Sequence, residues 1–474
     1  MTTGRNTETG IPDPAPRLPL PARFSLALGT GTILQGLNSA IVAVALIPIA
    51  VYFGDSSAIP WIVSGLYIAS AVGSPAAGRL ADLFGARRIY LVGLVVVLLA
   101  SVAGPFVPSV EWLVVDRVVL GLGASMHFPA AMAIIRQQAA KRQQTATGAI
   151  GIIAVCGQTS AAFGPTLGGL VVVVWGWQGI FWVNLPLVLL SAIWVLTQVP
   201  RDEVRERTGV LRGIKSIDPL GMGLFVVTVV LLMLGLLSLE GDPQWLLFAA
   251  FVPVAALFVL REMSTPSPFI DVRLMLTHRQ FALTCARAVL TFISFYCIFY
   301  GLPQWLEASR GLDAAATGLL MLPVFAIGVL STIVATRLGR RLSPRLLLVF
   351  GTTAMVVAGA LLALVTSTDS PVWLLALISV LLGVPNGFNN LGNQLILHNS
   401  VPGANAGSAS GIYRTSQYFG AVLSAVIVAH SVGVGQPYGG IRTLGLWILS
   451  LGALMLVTNL IALYRGRGRT MVEL

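Results

Sequence analysis

Asp116 and Arg117 stand side by side in the middle of an apolar run and are followed by Gly121 and Gly123. An arginine near the centre of a lipid-embedded helix costs about 2.5–3.5 kcal/mol on insertion scales, so the pair must face protein or a water-filled cavity. There Asp116 can take up and release a proton, and Arg117 can hold negative charge on a solute. A structural ion pair that fixes helix register is the other reading. The glycines let a neighbouring backbone approach closely.

Arg287 and Arg414 are the other basic residues inside apolar runs. Asn386, Asn389, Asn390 and Asn393, with Gln394 beside them, recur at spacings that fall on one stripe of a helix. Unpaired amides are expensive in lipid, so the stripe faces a cavity or a partner helix. Gln35 with Asn38, and Arg414 with Gln417, lie one turn apart and pose the same choice between solute contact and interhelical bonding. Phe292, Phe295, Tyr296, Phe299 and Tyr300 form an aromatic face, suited to a planar apolar ligand or to packing near a membrane boundary.

Positioning such residues takes a membrane scaffold. The 474-residue chain is 56% hydrophobic and 10% charged, with mean hydropathy +0.86, a composition that no soluble domain buries. Apolar runs of membrane-spanning length recur throughout, without the short alternation of barrel strands. Fourteen spans are expected, near 24–52, 60–77, 89–107, 111–134, 147–174, 180–198, 218–238, 245–260, 280–300, 315–336, 346–366, 372–396, 406–431 and 442–464. The fold class is therefore all-α integral membrane, embedded in a lipid bilayer.

The net charge of +11 is a topology signal, and no nucleic-acid partner is expected. Arg310 and Arg442 fall on one side of the membrane, and Arg117, Arg287 and Arg414 fall within spans. The remaining lysines and arginines lie in the termini or in alternate loops, which puts both termini in the cytoplasm. Lys141 and Lys215 are the only lysines, an arginine bias that points to a GC-rich bacterium and its cytoplasmic membrane. The Pro-rich segment 11–21 lacks a cleavable signal pattern, so the first span is retained. Cys156, Cys285 and Cys297 sit in apolar spans as small core residues rather than as disulfide or metal ligands.

A division follows from these features: a disordered cytoplasmic tail (1–22), a six-helix bundle (23–200), a charged linker (201–217), two additional spans (218–260), a second six-helix bundle (261–464) and a cytoplasmic tail (465–474). Gly78, Asp82, Gly85, Arg87 and Arg88 make a tight basic turn after the second span, in which Asp82 can cap a helix or hold an arginine. The stretch 337–345 is a degraded copy of it in the second half, as duplicated transporter folds show. Gly157, Gly164 and Pro165 combine small residues with a helix breaker, giving a kink with close packing or a plain packing face.

Gly78-x-Leu-Ala-Asp82-x-x-Gly85-x-Arg87-Arg88 resembles the inner-loop signature of the major facilitator superfamily. Arg117-x-x-x-Gly121-x-Gly123 resembles its fourth-helix motif, with Leu120 where a glutamine is usual, and Gly157 with Gly164-Pro165 resembles its fifth-helix antiporter motif. Trp61 with Tyr67, Trp177 through Phe181 to Asn184-Leu-Pro186, Asp218-Pro-Leu-Gly221, and Pro268 through Asp271 to Arg273-Leu274 resemble the fourteen-helix drug:proton antiporter branch. The resemblance implies two six-helix bundles around a central cavity, plus two extra helices. It also implies alternating access by rocking of the halves, and export of amphipathic small molecules driven by the proton gradient, with no other cofactor.

One departure bears on substrate charge. Asn38 stands where that branch carries an acid before its Ile-Val-x-Val-Ala-Leu run, so the usual embedded carboxylate is missing. A neutral-to-positive cavity favours neutral, zwitterionic or anionic compounds over lipophilic cations. Asp116 is then the one within-span carboxylate to nominate for proton coupling. ATP-driven transport is disfavoured, because neither lysine closes a phosphate loop. An embedded enzyme is disfavoured, because His127, His278, His398 and His430 form no paired metal array. Proton-coupled import of a small metabolite, or a transporter-like sensor that has lost coupling, are the alternatives. The sequence leaves oligomeric state open.

Overall fold

Apolar runs enter lipid as helices because only a helix satisfies its own backbone N–H and C=O groups within one segment. The computed structural model describes residues 18–54, 59–202, 218–240, 242–266, 268–312, 314–401, 406–432 and 440–470. Among these residues the chain is helical almost throughout, with one isolated bridge between Pro19 and Thr145. The expected tail 1–17, most of the linker (203–217) and the last four residues lie outside the described residues.

The first half contains α1 (Ala22–Phe53), α2 (Ile59–Phe84), α3 (Ala86–Ala103), α4 (Val110–Ser125), α5 (His127–Arg142), α6 (Thr147–Trp175), a one-turn α7 (Gly179–Trp182) and α8 (Asn184–Gln198). Next come α9 (Pro219–Leu237) and α10 (Trp245–Ser264). The second half contains α11 (Val272–Thr277), α12 (Arg279–Tyr296), α13 (Leu302–Arg310), α14 (Ala314–Leu338), α15 (Pro344–Leu364), α16 (Val372–Ser400), α17 (Ala406–Val432) and α18 (Gly440–Thr470). Ten spans among the described residues are long and apolar enough to cross a membrane. In addition α1, α2, α6 and α17 run for 32, 26, 29 and 27 residues.

Helices outlast the apolar runs in several places, and α2, expected to end at 77, continues to Phe84, so that Gly78 and Asp82 are helical and the turn is confined to Gly85. The expected fourth span ends at 134, whereas α5 continues to Arg142 before Gln143 turns left-handed. The ninth, expected to end at 300, passes through a π turn, Cys297–Gly301, into α13. The expected C-terminal tail from 465 is helical through Thr470. Hydropathy marks where a helix leaves lipid, not where its hydrogen bonds stop.

Within the first half α1 packs on α6 and α2 on α4; within the second, α14 packs on α16 and α15 on α16 and α18. Across the halves α2 meets α17 and α6 meets α14. The α9–α10 hairpin places α9 against both α2 and α17, on the seam. It is fastened at one end by Arg261, which donates to both Asp218 carboxylate oxygens at 3.1 and 3.0 Å. These bonds hold the Asp218 carboxyl below the usual carboxylate range.

The end of the bundle bearing the α2–α3 turn is closed. Gly85 enters that turn at φ 102°, a value side chains other than glycine's rarely accept. The Asp202 carboxylate then accepts from the backbone N–H groups of Arg87 and Arg88, both at 3.0 Å, capping α3. Asp82 reaches across the halves, where its Oδ1 accepts from the Gly407 backbone N–H at 3.1 Å. Beside it α17 lies so close to α2 that a Cβ on Gly411 would sit 2.3 Å from the Ser74 carbonyl oxygen. The Arg136 guanidinium donates to the Val401 carbonyl oxygen, also across the halves.

Candidate solute-binding cavity

Inward of that closure the halves part around a cavity of about 120 Å³. The first half contributes Thr32, Gln35 and Ser39 from α1, Tyr67 from α2, Phe128 from α5 and Gln158 from α6. Facing them are Phe292, Phe295, Tyr296 and Phe299, then Asn386, Asn390 and Gln394 from α16, and Arg414 and Tyr418 from α17. Four of the five expected aromatics therefore face the cavity, Phe299 from the π turn, whereas Tyr300 is not among its lining residues. Such turns add a residue to the helix and recur at functional sites.

Arg414 is the charged centre of this wall. Its guanidinium carbon lies 5.1 Å from the Phe128 ring centroid and 5.7 Å from that of Tyr418. Nη2 donates to Gln35 Oε1 at 3.1 Å, and Nη1 donates to Gln417 Oε1 at 2.5 Å. Gln35 also donates from Nε2 to the Tyr418 hydroxyl. Arg414 Nε is buried without a hydrogen-bond partner. No carboxylate is among the described lining residues, so the cation is answered only by neutral dipoles and two ring faces.

Several residues expected at the cavity stand behind it. Asn389 and Asn393 are fully buried on the far side of the asparagine stripe, Asn389 against Gly351 of α15 and Asn393 between Arg287 and Thr291. The stripe splits because successive helical residues turn by about 100°, which spreads Asn389 to Gln394 over roughly 140° of the circumference. Arg287 lines a separate cavity at the closed end. Gln417 backs Arg414 rather than facing the void.

Asn38 and Arg117 are likewise withdrawn. Asn38 exchanges two amide hydrogen bonds with Asn184, at 2.8 and 2.9 Å, and Asn184 also donates to Ser101. Arg117 Nη2 donates to the Asn38 backbone carbonyl at 2.8 Å, and the guanidinium lies over Phe181. Asp116 and Arg117 feel each other's charge but make no hydrogen bond, because neighbours in sequence point about 100° apart on a helix. Asp116 Oδ2 is left buried without a hydrogen-bond partner. Asn184→Ala removes three interhelical bonds at once. At roughly 0.6 kcal/mol for each bond we expect it to lower stability by about 2 kcal/mol, read as a lower unfolding midpoint in detergent; an unchanged midpoint would contradict the bonding described.

Gly157 lines the cavity beside Thr32, and a Cβ on Gly164 would meet that of Ala40, so both glycines serve the α1–α6 approach. The Pro165 side chain lies outside the described residues, and α6 is one uninterrupted helix through that position. Sequence reading passed over Thr32, Ser39, Phe128, Gln158 and Tyr418 as lining. Gln158 and Tyr418 carried a usable signal: the first is an amide inside an apolar run, the second sits one turn beyond Arg414.

Two helical halves, a central polar void and a basic turn that bridges the halves are the geometry of an alternating-access transporter, and the Major Facilitator Superfamily model matches residues 28–425. The chain belongs to the major facilitator superfamily. An uncharacterised MFS-type transporter of Bacillus subtilis (strain 168), YwoD, is 33% identical over 86% of this chain and 89% of its own length. The multidrug resistance protein Stp of Mycobacterium tuberculosis (strain CDC 1551 / Oshkosh) is 31% identical over 87% of this chain and 77% of its own. The proton:xylose symporter XylE has the same fold, with TM-score 0.63 at 14% identity over 91% of this chain and 94% of that one. As a major facilitator superfamily member the chain is a multi-pass membrane transporter and not an enzyme.

Proposed function

We propose that this protein exports amphipathic small molecules from the bacterial cytoplasm by alternating access, coupled to inward proton flow. In this reading it has fourteen spans and two six-helix bundles, α9 and α10 are the additional pair, and both termini are cytoplasmic. The closed basic end is then the cytoplasmic side. The observation that carries the substrate class is Arg414, a cation on the cavity wall with no carboxylate among the described lining residues. Beside it the aromatic wall offers apolar contact, and Gln35, Gln158, Asn386, Asn390 and Gln394 offer adaptable hydrogen bonds. The favoured cargo is thus neutral, zwitterionic or anionic. A relative named as a multidrug resistance protein supports export of foreign compounds.

Export and cargo are tested together in inverted membrane vesicles with an imposed pH gradient. Accumulation of anionic or zwitterionic amphipathic compounds in preference to quaternary ammonium dyes is expected. Preference for the dyes, or flux only in the opposite direction, overturns the reading.

Proton coupling falls to Asp116, whose unpartnered oxygen is free to carry a proton. In proteoliposomes Asp116→Asn should retain downhill exchange and lose pH-driven accumulation. Undiminished accumulation removes Asp116 from the coupling step.

A further inference from the structure

A separate cavity of about 820 Å³ opens at the basic end between α12, α15, α16 and α18. Arg279, Leu283 and Arg287 line it from one stripe of α12, Arg345 from the first turn of α15, and Asn459 and Ile461 from α18. The helical rise sets Arg287 about 12 Å deeper than Arg279. Three arginines thus line one cavity at different depths, and no carboxylate is among the described lining residues.

Their internal bonds are few. Arg287 donates from Nε to Asn393 Oδ1 at 3.2 Å and from Nη2 to Thr284 at 2.8 Å, and Arg345 donates from Nη1 to the Ala462 carbonyl at 2.9 Å. Asn459 is only 2% exposed, and its Nδ2 has no hydrogen-bond partner. The site carries three cationic donors and, among the described lining residues, only neutral acceptors. Its exposed rim mixes Leu283 and Ile461, each 47% exposed, with the polar residues Arg279, Gln280 and Thr458.

We propose that this cavity binds the phosphate headgroup of an anionic phospholipid from the leaflet at the basic end. The phosphate supplies the acceptors that the arginines and Asn459 call for, and the acyl chains run along Leu283 and Ile461. Basic pockets between membrane helices take anionic headgroups on this physical ground. The ligand also reaches the central cavity indirectly: Arg287 holds Asn393, and Asn393 Nδ2 donates at 3.4 Å to Thr291, which lines that cavity.

The test is native mass spectrometry of the full-length protein after exposure to phosphatidylglycerol or phosphatidylcholine. Phosphatidylglycerol should be retained preferentially. Each guanidinium near a phosphate contributes about fivefold, so the Arg279→Gln, Arg345→Gln double variant should retain roughly 25-fold less of it. Phosphatidylcholine retention should not change. Equal retention of the two lipids, or an unaffected double variant, overturns the proposal. Displacement of phosphatidylglycerol by millimolar inorganic phosphate would instead make this a free-anion site, and would overturn the lipid assignment. Should the double variant not fold, Arg279→Lys with Arg345→Lys must keep the preference and Leu283→Glu, which sets a like charge at the rim, must lose it.

Discussion

Replacing Arg414 with leucine is expected to weaken export of anionic cargo severely while the protein still folds and inserts. The guanidinium sits on the cavity wall between Phe128 and Tyr418, bonded only to the neutral side chains Gln35 and Gln417. Its loss therefore strands no buried carboxylate among the described lining residues. A hydrogen bond to a charged group contributes about 1.5–3 kcal/mol, so affinity for an anionic compound should fall roughly 10- to 150-fold. Neutral compounds, held by the aromatic wall, should lose much less. Arg414→Lys should recover part of the affinity, since it keeps the charge but gives up the planar group that lies over the two rings. Arg414→Glu should turn selectivity towards cations. Direct binding and vesicle transport with matched anionic, neutral and quaternary ammonium probes read all three. Uniform losses across the probes would mean that Arg414 holds the halves together rather than the solute.

Gly411→Ala should stall the transport cycle by keeping the basic end from closing. One added carbon would lie 2.3 Å from the Ser74 carbonyl oxygen and 2.6 Å from Pro75 Cα. Both are backbone atoms of α2, which cannot swing aside as a side chain could. Overpacking of this kind costs about 1–3 kcal/mol, charged only to the closed state, so the population should shift roughly 5- to 150-fold towards opening at this end. Gly223→Ala is the matched control, because nothing lies within 4 Å of the added carbon. A cysteine introduced at Ser39 on the cavity wall reports the shift. The native Cys156, Cys285 and Cys297 are all buried and provide a quiet background. In inside-out vesicles an impermeant maleimide should label it faster in the Gly411→Ala protein, and net flux should drop. Unchanged labelling and flux would show that the α2–α17 contact is not a gate.

Helix placement was legible because lipid imposes one rule on every span, and hydropathy with alternating loop charge records that rule. The site was legible in its residue types more than in its arrangement. Arg414, Gln35 and the aromatic stripe on α12 reach the cavity as their polarity or size suggested. Asn389 and Asn393 do not, because a row of amides spans too much of the helix circumference to share one environment. Asn38 was visible as a missing acid. Its partner Asn184 lies 146 residues away, a pairing that only the folded chain defines. Asp116 and Arg117 interact through charge without a direct hydrogen bond, since consecutive helical residues do not face each other.

The size of the central void sets a limit on what this conformation can hold. About 120 Å³ is well below the roughly 300–1,000 Å³ of sites for drug-sized ligands. Cargo therefore cannot be sealed inside without widening the gap between α1, α6, α12 and α16. A larger solute forces the halves further apart, so molecular bulk itself should determine how far the cycle advances.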